Sequence, residues 1–326
     1  MQAKLASMAG QGDSAGKGGP GIVEHAISAL NAWFGDYLSQ TTNGLQQSMA
    51  FYRDNRPVAP EDIAAPPTGK VCVFVHGLGC NESLWSFPAP HEGGGYGELL
   101  EQRCGYMPLY LRFNTGLRIS NNGKQLASLL EQFCARHDAA VTELVLIGHS
   151  VGGLVIRSAC HHAGQDWVSR VRHVVYLGSP HLGAPLEKAT NVATNVLGRF
   201  DTTATRVIRD LLNTRGAGVK DLRFGNLVDQ DWLDCDPDEL MNNRRVPVPW
   251  LTTARHHFAV GQAVAGVGTL GDAMVGTDSA AGRACGAQPG APGGSDVQVM
   301  PGLNHLDLAR HLSVYEHIEG WVNEDG

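Results

Sequence analysis

The chain has 326 residues, of which 43% are hydrophobic, and its formal net charge at pH 7 is −7. The absence of any block of Lys or Arg argues against nucleic acid or an anionic membrane as its main partner. Residues 1–20 contain no apolar core of a signal peptide, and no apolar run reaches the roughly eighteen residues of a membrane span, so we expect a cytoplasmic protein without a transmembrane segment.

The composition gives no indication of a metal or a nucleotide cofactor. The seven cysteines are odd in number and form no CxxC pair, which argues against a zinc site or a disulfide scaffold. Cys235 and Cys285 flank a loop-rich region and are candidates for a disulfide, although nothing indicates an oxidising compartment. The glycine-rich stretches lack both GxxxxGK[ST] and a strand–GxGxxG–helix arrangement. We therefore expect no cofactor, and the oligomeric state is not indicated.

The N-terminal part of the chain differs in pattern from the rest. Residues 1–21 are rich in Gly, Ala and Ser, which predicts a disordered tail. Residues 22–52 carry an apolar stripe at helical spacing, and residues 54–69 are Pro-rich, so we interpret 22–69 as a helical segment followed by a linker. The helix is either a membrane or partner anchor or a helix packed on the main body. Its scarcity of Lys and Arg favours packing.

Short apolar runs alternate with helical segments from residue 70 onward. Strands are predicted at 71–75, 106–113, 144–147 and 171–177, and helices at 121–136 and 152–163. Continuous apolar strands between helices are typical of a parallel sheet covered on both faces. The sequence therefore predicts one α/β domain over residues 70–326.

The alternation stops over residues 184–247, which are amphipathic and end in acidic turns. We interpret this stretch as a helical cap inserted into the domain, over about residues 185–250. Two further strands are predicted at 256–264 and 297–300, and a terminal helix at 306–322.

Ser150 lies in a GxSxG motif, Gly148 to Gly152, directly between a predicted strand and a predicted helix. A sharp strand-to-helix turn exposes a serine oxygen above a sheet, and the flanking glycines permit a close backbone approach. Ser150 is therefore the predicted nucleophile, and the alternative is an ordinary glycine-rich turn.

A serine nucleophile needs a base, and the base needs an orienting carboxylate. His305 follows the last predicted strand and is the predicted base, and Asp272 follows the strand before it and is the predicted acid. The resulting order Ser, Asp, His is the one expected for this architecture. The chain also contains competing candidates for the base and the acid, namely His256, His257, His311, His317, Asp278 and Asp296.

An oxyanion hole requires two backbone N–H donors near the serine. One is expected from Val151, which follows the nucleophile. The other is expected from Leu78, in the loop His76–Gly79 after the first core strand. Because a backbone group donates, the side chain at position 78 should matter little.

Taken together, these motifs resemble the α/β-hydrolase superfamily, and within it the bacterial lipases and the lipase-like proteins related to GPI inositol-deacylases. The resemblance covers about residues 70–322. It rests on five segments in order, namely FVHGLG (74–79), IGHSVGG (147–153), YLGSPHLGAP (176–185), GDAMVG (271–276) and GLNHLDL (302–308). The segment GVKDLRFGNLVDQDW (218–232) also resembles part of the cap of bacterial members.

The resemblance implies an α/β-hydrolase fold with a triad of Ser150, Asp272 and His305 and an oxyanion hole of Leu78 and Val151. It implies a cap above the serine and a small-molecule or lipid ester with an apolar acyl group as substrate. Some secreted lipases bind calcium through a residue matching Asp307, but a second acidic ligand is not evident here. An acyltransferase or thioesterase using the same triad is the alternative, and a non-catalytic binding protein on this fold is a further one.

Overall fold

A computed structural model describes residues 22–40, 45–88, 94–183, 217–233, 245–263, 271–272, 274–284 and 289–324. The strands are Ala50–Arg53 (β1), Arg56–Val58 (β2), Lys70–Val75 (β3), Met107–Arg112 (β4), Glu143–His149 (β5), Val171–Leu177 (β6), Arg255–Gln262 (β7) and Asp296–Pro301 (β8). The α-helices are Ile22–Gln40 (α1), Tyr96–Cys104 (α2), Ile119–Arg136 (α3), Val151–His162 (α4), Gln165–Val168 (α5), Ala217–Leu222 (α6), Thr277–Ala280 (α7) and Leu312–Asn323 (α8). Short 3₁₀ helices lie at Pro60–Asp62, Glu82–Trp85, Asp229–Asp231 and Asp307–Ala309.

All eight strands belong to one sheet in the order β2-β1-β4-β3-β5-β6-β7-β8. Strands β3 to β8 pair in parallel, whereas β1 pairs antiparallel with both β4 and β2. The mostly parallel sheet predicted from the alternating pattern is therefore confirmed, with an antiparallel hairpin added at one edge.

The central strands are buried on both faces, as their continuous apolar sequences require. On β3, Val71, Val73 and Val75 belong to one hydrophobic core, and Cys72 and Phe74 to the other. The first core contains apolar side chains of α3 and α4, and the second contains those of α2 and α8. Helices thus cover both faces of the sheet.

The N-terminal region differs from its sequence interpretation. The helix predicted over 22–52 ends at Gln40, and the segment 54–69 interpreted as a linker contains β2 and a 3₁₀ helix. Strands β1 and β2 form a tight hairpin in which Asp54 and Asn55 both have positive φ, at 49° and 61°. Two central residues with positive φ are typical of a type I′ hairpin turn. The sheet therefore begins at Ala50, and residues 50–58 are part of it.

The C-terminal helix also begins later than predicted. Helix α8 starts at Leu312, and His311 is its N-cap, whose side chain accepts a hydrogen bond from the Ser313 N–H. The 3₁₀ helix Asp307–Ala309 separates it from His305. The predicted base therefore lies in a loop and does not open the terminal helix.

Several predictions concern residues outside the described ranges. These are the tail 1–21, most of the cap at about 185–250, and both Cys235 and Cys285. The described residues within the predicted cap range form α6 and the 3₁₀ helix Asp229–Asp231. Among the helices that the structure describes, none combines the length and the apolar character needed to cross a bilayer.

Candidate active site

The sheet reverses its strand order between β3 and β5. The chain leaves β3 for β4 on one side, and it leaves β5 for β6 on the other. In open α/β sheets, such a reversal produces a crevice outside the carboxyl ends of the two strands, where ligands bind. The loop after β3 and Ser150 after β5 both lie at this crevice.

Ser150 forms a strained turn between β5 and α4. Its φ is 53° and its ψ is −125°, a conformation that residues other than glycine rarely adopt. The Ser150 N–H donates to the Leu177 carbonyl at 2.9 Å, and its carbonyl accepts from the Gly153 N–H at 3.1 Å. These bonds hold the strained backbone between a strand and a helix, which is the geometry predicted for the GxSxG motif.

The loop after β3 approaches the serine closely at Gly77. A Cβ atom on this glycine would lie 2.7 Å from His149 Nδ1 and 3.1 Å from Ser150 Cβ, so a larger residue would collide with the turn. Among the described residues, no group accepts a hydrogen bond from the N–H of Leu78 or of Val151. Within the described part of the chain both predicted oxyanion donors are therefore unengaged; Val151 directly follows Ser150, and Leu78 directly follows Gly77.

Asp272 and His305 are in direct contact. His305 Nδ1 lies 2.5 Å from Asp272 Oδ2, and both side chains are buried. The other carboxylate oxygen accepts from the N–H groups of Met274 and Val275 at 2.9 and 2.8 Å. Burial raises the pKa of Asp272, but the neighbouring His305 and these hydrogen bonds outweigh it and lower the pKa below the ordinary 3.8. Asp272 is thus held ionised as a fixed acceptor for the imidazole.

His149 connects the Ser150 turn to the loop that carries His305. Its Nε2 lies 2.8 Å from the His305 carbonyl oxygen, and the two ring centroids are 4.7 Å apart. His305 Nε2 is buried without a partner among the described residues, so no hydrogen bond joins it to Ser150 Oγ in this structure. Catalytic hydrogen bonds are often long before substrate binds. The structure thus joins Asp272 to His305 directly, and Ser150 to His305 through its neighbour.

The two other aspartates considered for the acid, Asp278 and Asp296, have different partners from Asp272. Asp278 pairs with Arg283 at 3.1 Å, and both side chains are 71% exposed. Asp296 begins β8, at the amino end of the strand, and lies 2.8 Å from His257 Nδ1. Asp278 is therefore an exposed, paired side chain, and Asp296 lies at the amino end of its strand, whereas Asp272 is buried against His305.

The competing histidines are placed away from Ser150 as well. His256 and His257 lie near the amino end of β7, His311 caps α8, and His317 lies within α8. The sequence interpretation did not single out His149, although its position directly before Ser150 was a signal available in the motif.

Sequence comparison gives a family for this fold and site. Residues 41–222, more than half of the chain, match a family model described as "Domain of unknown function (DUF7379)". The chain belongs to the DUF7379 family. The matched part of this DUF7379 protein includes Leu78, Ser150 and Val151, whereas α1 precedes it and Asp272 and His305 follow it. No curated protein matches the chain.

Solved structures show that the DUF7379 protein shares the α/β-hydrolase fold. The mature form of Bacillus licheniformis lipase BlEst2 is similar with a TM-score of 0.50 at 18% identity, over 79% of this chain and 94% of the lipase chain. Its propeptide form gives a TM-score of 0.51 at 18% identity, over 79% of this chain and 51% of that chain. At this identity the similarity establishes the fold, and function must be argued from the site.

Proposed function

We propose that this DUF7379 protein is a carboxylic-ester hydrolase that acts through an acyl-enzyme on Ser150. The observation that carries the proposal is the buried Asp272–His305 pair, hydrogen-bonded at 2.5 Å, at the same end of the sheet as the strained Ser150 turn. A carboxylate that fixes an imidazole at the same end of the sheet as a strained serine turn is the arrangement that can activate a serine nucleophile.

In the proposed reaction, Ser150 Oγ attacks the ester carbonyl carbon while His305 Nε2 takes the hydroxyl proton. Asp272 accepts from His305 Nδ1, which keeps Nε2 as the basic nitrogen and stabilises the imidazolium. The N–H groups of Leu78 and Val151 stabilise the negative oxygen of the tetrahedral intermediate. His305 then gives its proton to the departing alcohol, and the acyl group remains on Ser150.

Deacylation repeats these steps with water in place of serine. His305 Nε2 takes a proton from the water as it attacks the acyl carbon, and returns that proton to Ser150 Oγ when the carboxylic acid leaves. The histidine thus ends the cycle in its starting protonation state.

For the substrate, we propose an ester with an apolar acyl group, in keeping with the motif resemblance to lipases. The acyl pocket is proposed to include Val207, Leu211 and Leu212, which lie outside the described residues. Replacing them with Asp should raise KM for long acyl chains more than for short ones. Equal losses for both lengths would contradict this placement of the pocket.

The proposal is tested by hydrolysis of p-nitrophenyl esters from acetyl to palmitoyl with the wild type and Ser150→Ala. We expect Ser150→Ala to lose at least about 10³-fold in kcat/KM, because the nucleophile is removed while binding is kept. Ser169→Ala is the matched control, since that hydroxyl bonds the Asp166 carbonyl on the exposed surface.

Labelling by a fluorophosphonate provides an independent measurement. The label should appear on the peptide that contains Ser150 and should be absent from Ser150→Ala. A folded wild type that neither hydrolyses any ester nor takes up the label would overturn the proposed function.

A further inference from the structure

The loop that carries Leu78 is a tight turn with a defined side-chain partner. The Cys80 N–H donates to the Gly77 carbonyl at 3.2 Å, and Gly79 has a φ of +69°. A four-residue turn with positive φ at its third position is a type II turn, for which glycine is favoured there. Its central peptide, between Leu78 and Gly79, donates through the Gly79 N–H to Thr115 Oγ1 at 3.1 Å.

Thr115 is buried, with 2% of its surface exposed, in the loop after β4. Asn114 shapes this loop, because its side-chain oxygen accepts from the Gly116 N–H at 3.0 Å and its carbonyl accepts from Leu117 N–H at 3.3 Å. Asn122 of α3 donates to the same carbonyl at 3.0 Å. The threonine hydroxyl is therefore presented from a rigid turn.

Helix α1 contacts both loops. Asn114 Nδ2 donates to the Gly35 carbonyl at 3.1 Å, and a Cβ atom on Gly116 would lie 2.1 Å from the Asn31 carbonyl oxygen. On the other loop, a Cβ atom on Gly79 would lie 3.6 Å from Ala32 Cβ. The helix backbone thus lies directly against the Thr115 loop, and Ala32 lies directly against the turn.

We propose that Thr115, held in place by helix α1, is a positioning residue for the oxyanion hole of this enzyme. It fixes the Leu78–Gly79 peptide through the Gly79 N–H, and so leaves the Leu78 N–H as the donor of this loop. The inference rests on the proposed function. It assigns to α1, which lies before the part of the chain matched by the family model, a role in the chemistry.

The physical basis is preorganisation. An oxyanion donor contributes to the rate only if it already points at the developing charge, and removing one such donor costs about 10²- to 10³-fold in kcat. A donor that remains present but is misdirected part of the time should cost less. Ground-state binding of the ester should change little, because the carbonyl oxygen carries its full charge only in the transition state.

The test compares Thr115→Val, which removes the acceptor at nearly constant volume, with Thr115→Ser, which keeps a hydroxyl. For p-nitrophenyl ester hydrolysis we expect Thr115→Val to lower kcat about 10- to 100-fold with KM within about threefold. Thr115→Ser should remain within about threefold of the wild type. Amide hydrogen exchange of Gly79 should accelerate in Thr115→Val and stay slow in Thr115→Ser.

A second pair of variants tests the same turn from the helix. Ala32→Leu places extra atoms against Gly79 and should lower kcat without a matching rise in KM. Ala26→Leu, on an exposed position of the same helix, is the matched control and should leave kcat unchanged. These variants keep the inference testable even if Thr115→Val does not fold.

The two proposals fail in different ways. A wild type without esterase activity or fluorophosphonate labelling removes the proposed function, and this inference with it. An active wild type whose kcat and Gly79 exchange are unchanged by Thr115→Val overturns this inference alone. A loss of kcat that Thr115→Ser does not restore would also overturn it, because the hydroxyl would then not be the group responsible.

Discussion

At the scale of single residues, the His149 ring is neutral near pH 7 and carries its proton on one defined nitrogen. Burial, and secondly the neighbouring His305, lower its pKa to about 3, so the ring is neutral near pH 7. Its Nε2 faces the His305 carbonyl at 2.8 Å, and since a carbonyl oxygen can only accept, we assign the proton to Nε2. The remaining nitrogen faces Gly77. His149 therefore ties the backbone of the predicted base to the nucleophile turn.

We predict that His149→Leu lowers kcat about tenfold, because His305 loses this anchor and occupies its reactive position less often. His149→Gln, whose amide can donate to the same carbonyl, should recover most of the loss. The kcat values of both variants, and the pH profile of kcat/KM, provide the measurement. Wild-type kinetics in His149→Leu would show that the hydrogen bond does not position the base.

At the scale of elements, Arg112 at the end of β4 contacts both the β1–β2 hairpin and the 3₁₀ helix Glu82–Trp85. Its guanidinium is buried and forms a two-pronged ion pair with Glu82, in which the Nε contact is 2.7 Å. The same group donates to Asn55 Oδ1 at 2.6 Å and lies 4.0 Å from the Tyr52 ring centroid. The β1–β2 hairpin, β4 and the 3₁₀ helix after the Leu78 loop are thus connected by one side chain.

We predict that Arg112→Met reduces the free energy of unfolding by up to about 3 kcal/mol, because it leaves the Glu82 carboxylate, whose side chain is only 12% exposed, without its cation. Replacing both residues with Met should cost less than the sum of the single changes. Urea unfolding of the four proteins in a double-mutant cycle measures the coupling. Arg103→Ala is the control, since its pair with Glu319 is half-exposed and should contribute less than about 1 kcal/mol. A coupling near zero would contradict the proposed connection.

At the scale of the whole molecule, buried neutral histidines make the fold sensitive to acid. Burial lowers the pKa of His76 and of His256 to about 4, and that of His149 to about 3. Unfolding returns each ring to its ordinary value near 6.5, so the unfolded chain binds more protons below that pH. The stability contributed by the neutral rings is therefore fully present above pH 6.5 and is lost as the pH falls toward 4.

We predict that the free energy of unfolding falls between pH 7 and pH 5, by at most about 1.4 kcal/mol per histidine and pH unit. Asp221 acts in the opposite direction, because burial raises its pKa to about 6 and the folded state then binds more protons between pH 4 and 6. Urea unfolding at pH 7, 6 and 5, with proton uptake measured on unfolding, shows whether the histidines outweigh Asp221. Equal stability at pH 7 and 5, with no net proton uptake on unfolding at pH 5, would mean that these rings are not held neutral.

The sequence predicts the central sheet well because β3, β5 and β6 are continuous apolar runs that only a doubly covered sheet buries. It fails at β1 and β2, which are short and only partly buried, so neither carries the continuous apolar run of a core strand. In retrospect, Asp54-Asn55 between them is a hairpin signal that a Pro-rich composition obscured.

The site is likewise predictable where the signal is local. The GxSxG motif points to Ser150, and the positions of Asp272 and His305 after two predicted strands point to those residues. The structure brings Asp272 and His305 into direct contact. The contacts of Thr115 with Gly79 and of His149 with His305 span 36 and 156 residues. Such pairings leave no periodicity or motif in the sequence and depend on how separate loops meet. The roles of the three predicted catalytic residues stay predictions.

Because β8 is the terminal strand of the described sheet, we expect heating to disrupt the site first at the loop that follows β8. Ser150 follows β5, which is paired on both sides, whereas His305 follows β8, which is paired with β7 alone. Terminal strands separate from a sheet at a lower free-energy cost than central ones, so we expect local opening to reach His305, the proposed base, before Ser150, the proposed nucleophile. If the proposed roles hold, Ser150 would persist on an intact scaffold after His305 had moved away on mild heating, and inactivation would precede denaturation.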